Sequence, residues 1–158
     1  MRYREDATEV SAVGFYSDYG NLIGRCRVSD VTCEPGSEFN GGEVEISGVE
    51  VSLLHSIALN SSLSLEGSLA YTYTDSEFAT TFLSGFPQWG LVREGDELPY
   101  IPESVGSARL SLVGGRWRVD GSVDFQSQMR EVPGVDAIED ALHSDGFAVL
   151  DLSATFAL

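Results

Sequence analysis

Paired carboxylates are the residues of this sequence best suited to acid–base chemistry. They occur at Asp96–Glu97 and Glu139–Asp140, in a chain with 25 acidic and nine basic residues. General acid–base catalysis needs partner groups held in position. His55 and His143 are far apart, however, and no nucleophile, phosphate-loop or His-Glu metal motif is present. Solvated surface charge explains the carboxylates better, so we expect neither an enzyme nor a bound cofactor.

One acidic group has the side chains of a hard-cation site. Its members offer oxygen and imidazole ligands, as in some metal sites: Asp136, Glu139, Asp140, His143 and Asp145. Their spacing matches no defined calcium loop, and we therefore predict no metal site.

The two cysteines, Cys26 and Cys33, flank a polar stretch that ends close to a Pro-Gly pair. This arrangement suits a disulfide that closes a small loop in an oxidising compartment. Two free thiols remain the alternative. Zinc is less favoured, because two further ligands at suitable spacing are missing.

The net charge of −16 limits the partners of the chain. All nine basic residues are arginines, and they form no basic stripe, so we expect no nucleic-acid binding. No stretch approaches the roughly 18 consecutive apolar residues of a membrane-spanning helix.

Polar and apolar residues alternate with a period of two in most of the chain, which predicts an all-β, antiparallel fold. In "LEGSLAYTYTDSEF", residues 65–78, Leu65, Leu69, Tyr71 and Tyr73 alternate with polar side chains. Six strands are predicted, most of them about 9 to 16 residues long, near residues 8–23, 42–57, 65–78, 107–112, 116–128 and 148–158. A change of phase near Gly48 predicts a bulge or a close contact.

The connections between these strands alternate strictly between long and short. One long connection holds both cysteines, and the other two are "ATTFLSGFPQWGLVREGDELPYIPES" and "EVPGVDAIEDALHSD". Tight turns are expected at "ALNSS" and Gly114–Gly115. Up-and-down outer-membrane barrels have this asymmetry, with long loops outside and short turns in the periplasm. Tyr16, Tyr19, Tyr71 and Tyr73 would then form an aromatic girdle near the outer surface.

Several motifs in this order resemble the barrel region of TonB-dependent outer-membrane receptors, most closely the ferric dicitrate receptor type. They are "FYSDYGNLIG", "FNGGEVEISGVE", "LAYTYTDSEF", "GDELPYIP", "RWRV" and "QMR". The resemblance implies a 22-stranded barrel in the outer membrane of a Gram-negative bacterium, where it contacts lipid and lipopolysaccharide. It also implies a plug through which the TonB–ExbB–ExbD system drives uptake of an iron chelate. We expect residues 1–158 to be a C-terminal segment of the barrel domain, with the plug, its TonB box and the final strands outside it.

Arginines near the outer loops become candidate ligand-binding residues under this resemblance. Ferric citrate and many siderophore complexes are anionic, and a guanidinium binds carboxylates in a bidentate manner. The candidates are Arg25, Arg27, Arg93 and Arg130. Lipopolysaccharide phosphates or nearby carboxylates are the alternative partners of these side chains.

Two other functions remain open. One is a small eight-stranded outer-membrane barrel used for adhesion or structure, and the other is a secreted carbohydrate-binding β-sandwich.

Overall fold

The computed structural model describes residues 1–5, 7–26, 34–137 and 142–157, and these residues form β-strands and connections. No helix in this part of the chain is long and apolar enough to cross a membrane. The strands are Arg2–Glu5 (β1), Thr8–Tyr19 (β2), Ile23–Arg25 (β3), Glu38–Asn40 (β4), Val44–Asn60 (β5), Leu63–Phe78 (β6), Phe82–Leu83 (β7), Leu91–Val92 (β8), Ser104–Val113 (β9), Trp117–Gln126 (β10), Met129–Arg130 (β11), His143–Ser144 (β12) and Phe147–Phe156 (β13).

Seven strands form one main sheet in the order β1-β2-β5-β6-β9-β10-β13, which is also their order along the chain. Every neighbouring pair in it is antiparallel. The all-β, up-and-down prediction is therefore confirmed, and the arrangement differs from the two packed Greek-key sheets of a sandwich. The sheet has one strand more than the six predicted, because Arg2–Glu5 pairs with the start of β2.

Short and long connections alternate as predicted. Short connections between β1 and β2, β5 and β6, and β9 and β10 lie at one end of the main sheet, and connections at 20–43, 79–103 and 127–146 leave the other end. We call these long segments the outer connections and the end that carries them the outer end. Each contains a two-stranded hairpin: β3–β4, β7–β8 and β11–β12.

β5 and β6 are the longest strands, with 17 and 16 residues. At about 3.3 Å per residue each is some 50 Å long. Both strands have more residues than the 9 to 11 that a tilted membrane-spanning strand needs. Their outer ends carry a small hydrophobic core, in which Val44, Phe78 and Val92 are fully buried. Phe39 stacks on Phe86 at 5.2 Å between ring centroids, so the first two outer connections pack together.

Gly48 explains the phase change predicted in β5. The register runs without interruption through Phe15↔Gly48 and Gly48↔Thr74, so the strand has no bulge there. The close contact is confirmed, because a Cβ at Gly48 would lie 2.2 Å from the Tyr73 carbonyl oxygen and 2.5 Å from the Phe15 ring.

Candidate functional site

One face of the main sheet is apolar across all its strands. Residues directly opposite each other share a face, and the registers align apolar side chains from strand to strand. We call this surface the apolar face; it includes Tyr3, Val10, Ala12, Tyr16, Val49, Val51, Leu53, Ile57, Leu65, Leu69, Tyr71, Tyr73, Ala108, Leu110, Leu112, Trp117, Val119, Val123, Phe125, Ala148, Leu150, Leu152, Ala154 and Phe156. Many of these side chains are exposed, up to 77% for Leu152. Such a surface requires an apolar medium or partner.

Aromatic residues border the apolar face at both ends. On the outer side the border moves by two residues for every two strands, from Tyr16 through Tyr73 to Phe125. Tyr3, Trp117 and Phe156 lie on the opposite border, and the last two are direct cross-strand partners. A shift of about one residue per strand is the stagger of tilted barrel strands.

The width of the apolar face follows from β10, which meets both borders. Trp117 and Phe125 lie at its two ends, so eight residue steps separate the borders. At about 3.3 Å per step and a tilt of about 40°, the band between them is about 20 Å high. That height is close to the apolar band of outer-membrane barrels, about 25 Å.

The predicted outer girdle needs one correction. Tyr16, Tyr71 and Tyr73 lie on the apolar face, but Tyr19 pairs with Val44 and projects from the opposite side of the sheet. The tyrosine hydroxyls at this border have polar partners: Tyr73 donates to Glu103 Oε1 at 3.0 Å. Gly106 leaves room for the Tyr71–Phe125 stack, because a Cβ there would lie 2.4 Å from the Phe125 ring.

The other side, which we call the polar face, holds charged networks near the short turns. Arg118 donates from Nε to Asp120 Oδ1 at 2.8 Å and from Nη1 to Glu66 Oε2 at 3.0 Å. Ser111, only 1% exposed, donates to Asp120 at 2.5 Å and accepts a bond from Arg118. A second network joins Arg2 and Arg4 to Glu9.

The four candidate arginines have different surroundings. Arg25 lies on the exposed β3–β4 hairpin, 3.5 Å from Glu38. Arg93 is exposed, and its backbone N–H donates to Asp96 Oδ2. Arg27 lies outside the described residues.

Arg130 is the buried member of the set, with 7% exposure. Its Nε donates to Glu97 Oε2 at 2.7 Å and its Nη2 to the Asp136 carbonyl oxygen at 3.0 Å. The bond to Glu97 joins the third outer connection to the second, and the bond to Asp136 lies within the third. The geometry favours a structural role for Arg130, and ligand binding by any of the four arginines stays a prediction.

The cysteine and metal predictions fall partly outside the described residues. Cys26 is buried, 4% exposed, whereas Cys33 is not described, and their disulfide stays a prediction. Glu139 and Asp140 of the acidic group are also undescribed. No group of three or more metal-ligating side chains forms among the residues that are described.

A cavity of about 460 Å³ opens at the outer end, between β6 and the second and third outer connections. We call it the mouth cavity. Thr74, Asp75 and Ser76 of β6 line one side of it. Glu97, Leu98, Ile101 and Glu103 come from the second connection, and Arg130 and Asp136 from the third.

Sequence reasoning found the alternating faces but missed the networks and the cavity. Alternation predicts that Asp120 and Arg118 share a face, yet their meeting with Glu66 and Ser111 depends on the register of three strands. The mouth cavity depends on how two long connections fold, for which the sequence carries no short-range signal.

Comparison with known proteins assigns this architecture to a family. The family model described as "TonB dependent receptor-like, beta-barrel" matches residues 1–158. No curated protein matches the chain. The family match spans the alternating strands, both faces and all three outer connections, and the chain belongs to the TonB-dependent receptor-like β-barrel family.

Proposed function

We propose that this chain is part of the barrel wall of an outer-membrane receptor that takes up an iron chelate, either ferric citrate or a siderophore complex. The family consists of transport receptors rather than enzymes. The observation that carries the proposal is the apolar face, which is continuous over seven strands and bordered by aromatics at both ends.

In this arrangement the apolar face meets the lipid of the outer membrane. The tyrosines of the outer border lie at the headgroups, where a ring meets the acyl region and a hydroxyl meets water. The short turns then face the periplasm, and the outer connections meet the medium and the lipopolysaccharide.

The polar face lines the lumen, which a plug would fill. The Arg118–Asp120–Glu66 network lies near the periplasmic turns, where charged groups remain hydrated or meet the plug. The TonB–ExbB–ExbD system acts through that plug. The barrel wall therefore holds and orients the ligand, and the energy for transport is supplied through the plug.

Further strands are required to complete the wall. Within the described residues, β1 and β13 are not paired with each other, so these seven strands do not close into a small barrel. Unpaired backbone groups cost several kcal/mol each in lipid. A barrel of 22 strands supplies the missing partners.

Uptake of labelled iron by whole cells tests this function. The full-length receptor is expressed in a strain that lacks its own ferric-chelate receptors, and uptake of ⁵⁵Fe is measured with ferric dicitrate and a ferric trihydroxamate as probes. We expect uptake of at least one probe, and its loss when TonB is deleted. Absence of uptake of both, with the receptor folded in the outer membrane, would contradict the proposal.

A further inference from the structure

One border of the apolar face, the border next to the short turns, carries an arginine that lies over an aromatic ring. We call it the inner border. Trp117 and Phe156 are direct cross-strand partners there. The guanidinium carbon of Arg116 lies 5.6 Å from the centroid of the Phe156 ring, which is within the range of a cation–π contact. A positive charge is therefore held at the edge of the surface that the proposed function places in lipid.

Further contacts fix the residues of the inner border. Arg116 donates from Nε to the Ala157 carbonyl oxygen at 3.2 Å, and its own carbonyl oxygen accepts from the Ala157 N–H at 2.8 Å. The Trp117 indole lies against the short turn, because a Cβ at Gly114 would come within 2.5 Å of its Nε1. Glycine at this position leaves room for the indole at the border.

The donors of the inner border are available to a ligand. Arg116 is exposed, and it makes no ion pair with a described residue. Its Nε is bonded to a backbone oxygen, so the two terminal nitrogens of the guanidinium remain to donate. Trp117 is 38% exposed and adds an indole N–H, which is a donor only.

Acidic residues are missing from both segments that meet at the inner border, although the chain has a net charge of −16. Residues 112–117 and 152–157 contain neither aspartate nor glutamate. Glu66 and Asp120, on the polar face, are bonded to Arg118. An anionic group that approaches Arg116 along the apolar face therefore meets no carboxylate from these two segments.

The outer border of the apolar face has the opposite charge. Asp18, Glu45 and Glu77 are direct cross-strand partners, and this row lies two residues beyond Tyr16. Like charges repel an anionic ligand as it approaches. The two ends of the apolar face thus differ in charge, and an anionic partner is favoured at the inner border.

The position of Arg116 along the strand matches the depth of a lipid headgroup. It precedes Trp117 by one residue, about 3.3 Å along the strand. Tryptophan rings at a membrane surface lie at the level of the headgroups, and an arginine next to them places its charged end toward water. A guanidinium at this depth can bind a phosphate through two parallel hydrogen bonds.

We infer that the inner border binds the phosphate of an anionic phospholipid in the periplasmic leaflet of the outer membrane. The terminal nitrogens of Arg116 donate to the phosphate, Trp117 lies beside it at headgroup level, and the acyl chains follow the apolar face. The inference rests on the proposed placement of the sheet in the outer-membrane wall and adds a lipid-binding site to that wall.

Native mass spectrometry of the full-length receptor measures the lipid preference. The receptor in detergent is titrated with phosphatidylglycerol and, separately, with phosphatidylcholine of the same acyl chains. Phosphatidylglycerol should bind about fivefold more tightly, because one arginine at a membrane surface attracts an anionic lipid to about this extent. The preference should decrease as the ionic strength is raised.

Matched variants locate the interaction. Arg116→Gln should bring the ratio of the two dissociation constants close to one. Arg116→Lys keeps the charge but lacks the planar fork of donors, so it should retain part of the preference. Arg109→Gln makes the same charge change on an exposed arginine of the polar face, beside Ser68 and Ser122 in the register. It should leave the preference unchanged.

Each contrary result has a distinct meaning. Equal dissociation constants for the two lipids in the unaltered receptor overturn the anionic-lipid site and leave iron-chelate uptake intact. A preference that survives Arg116→Gln, or that Arg109→Gln removes equally, overturns the assignment to the inner border. A receptor that neither inserts into a membrane nor takes up iron overturns the proposed function and this inference with it.

Discussion

The guanidinium of Arg130 donates from Nε to Glu97 Oε2 over 2.7 Å and thereby links two outer connections that are distant in sequence. Backbone bonds reinforce the link, from Glu97 N–H to the Gly134 oxygen at 3.1 Å and from Tyr100 N–H to the Arg130 oxygen at 2.9 Å. The wall of the mouth cavity depends on this junction.

Replacing Arg130 with alanine should loosen the junction. The change removes a bond to a charged group and leaves Glu97 without its partner, at about 1–2 kcal/mol after allowing for the exposure of Glu97. Hydrogen exchange at the Glu97 and Tyr100 amides should become about 5- to 30-fold faster. Arg93→Ala, on an exposed side chain of the same connection, should not change these rates; equal acceleration by both variants would argue against the junction.

Gly48→Ala should destabilise the sheet. A Cβ there meets the Tyr73 carbonyl oxygen at 2.2 Å, a backbone atom that cannot move away alone. Overpacking of this kind costs about 1–3 kcal/mol. At Gly14 the nearest atom to an added Cβ is the Gly48 oxygen, 3.9 Å away. Gly14→Ala is thus the control in urea unfolding of the reconstituted receptor, and equal midpoints for the two variants would refute the close contact.

Leu152→Arg tests which medium the apolar face meets. Leu152 lies in the middle of β13 with 77% of its surface exposed, and an arginine at the centre of a lipid-facing surface costs about 2–4 kcal/mol. Ser153→Arg places the same side chain on the polar face, opposite Asp120. Membrane insertion and the free energy of unfolding should fall for Leu152→Arg alone. Equal tolerance of both changes would exclude a lipid-facing assignment.

Arg118→Gln should weaken the polar face more than Arg109→Gln. Arg118 donates to Glu66, Asp120 and Ser111, and its loss leaves two carboxylates without a cation. We expect a lower free energy of unfolding than for the control, with the loss reduced by solvent screening because the Arg118 side chain is 40% exposed. Arg109 makes no ion pair with a described residue, so its variant serves as the control.

The sequence predicted those features of the fold that depend on neighbouring residues. Alternation placed Leu65, Leu69, Tyr71 and Tyr73 on one face, because successive strand residues point to opposite sides, and the register confirms it. The order of long and short connections likewise predicted the up-and-down sheet. The four residues of β1 were too few to give a periodic signal of their own.

Features that depend on pairing between strands were harder to predict. Tyr19 looked equivalent to Tyr16, yet three residues separate them, so an unbroken strand points them to opposite faces. Arg130 appeared to be a free outer arginine, because its pairing with Glu97 requires two long connections to meet. Charges that are distant in sequence give no local pattern from which such a contact could be predicted.

The outermost strand, β13, makes hydrogen-bond ladders with β10 on one side only within the described residues. In an antiparallel pair, successive amides point alternately toward one neighbour and away from it. Amide exchange along Phe147–Phe156 should therefore alternate between slow and fast positions when this edge is open. It should become uniformly slow when another strand joins. Amide exchange rates that alternate along β13 thus indicate an open edge, and uniformly slow rates indicate that the barrel has closed. A single strand is enough to make this distinction.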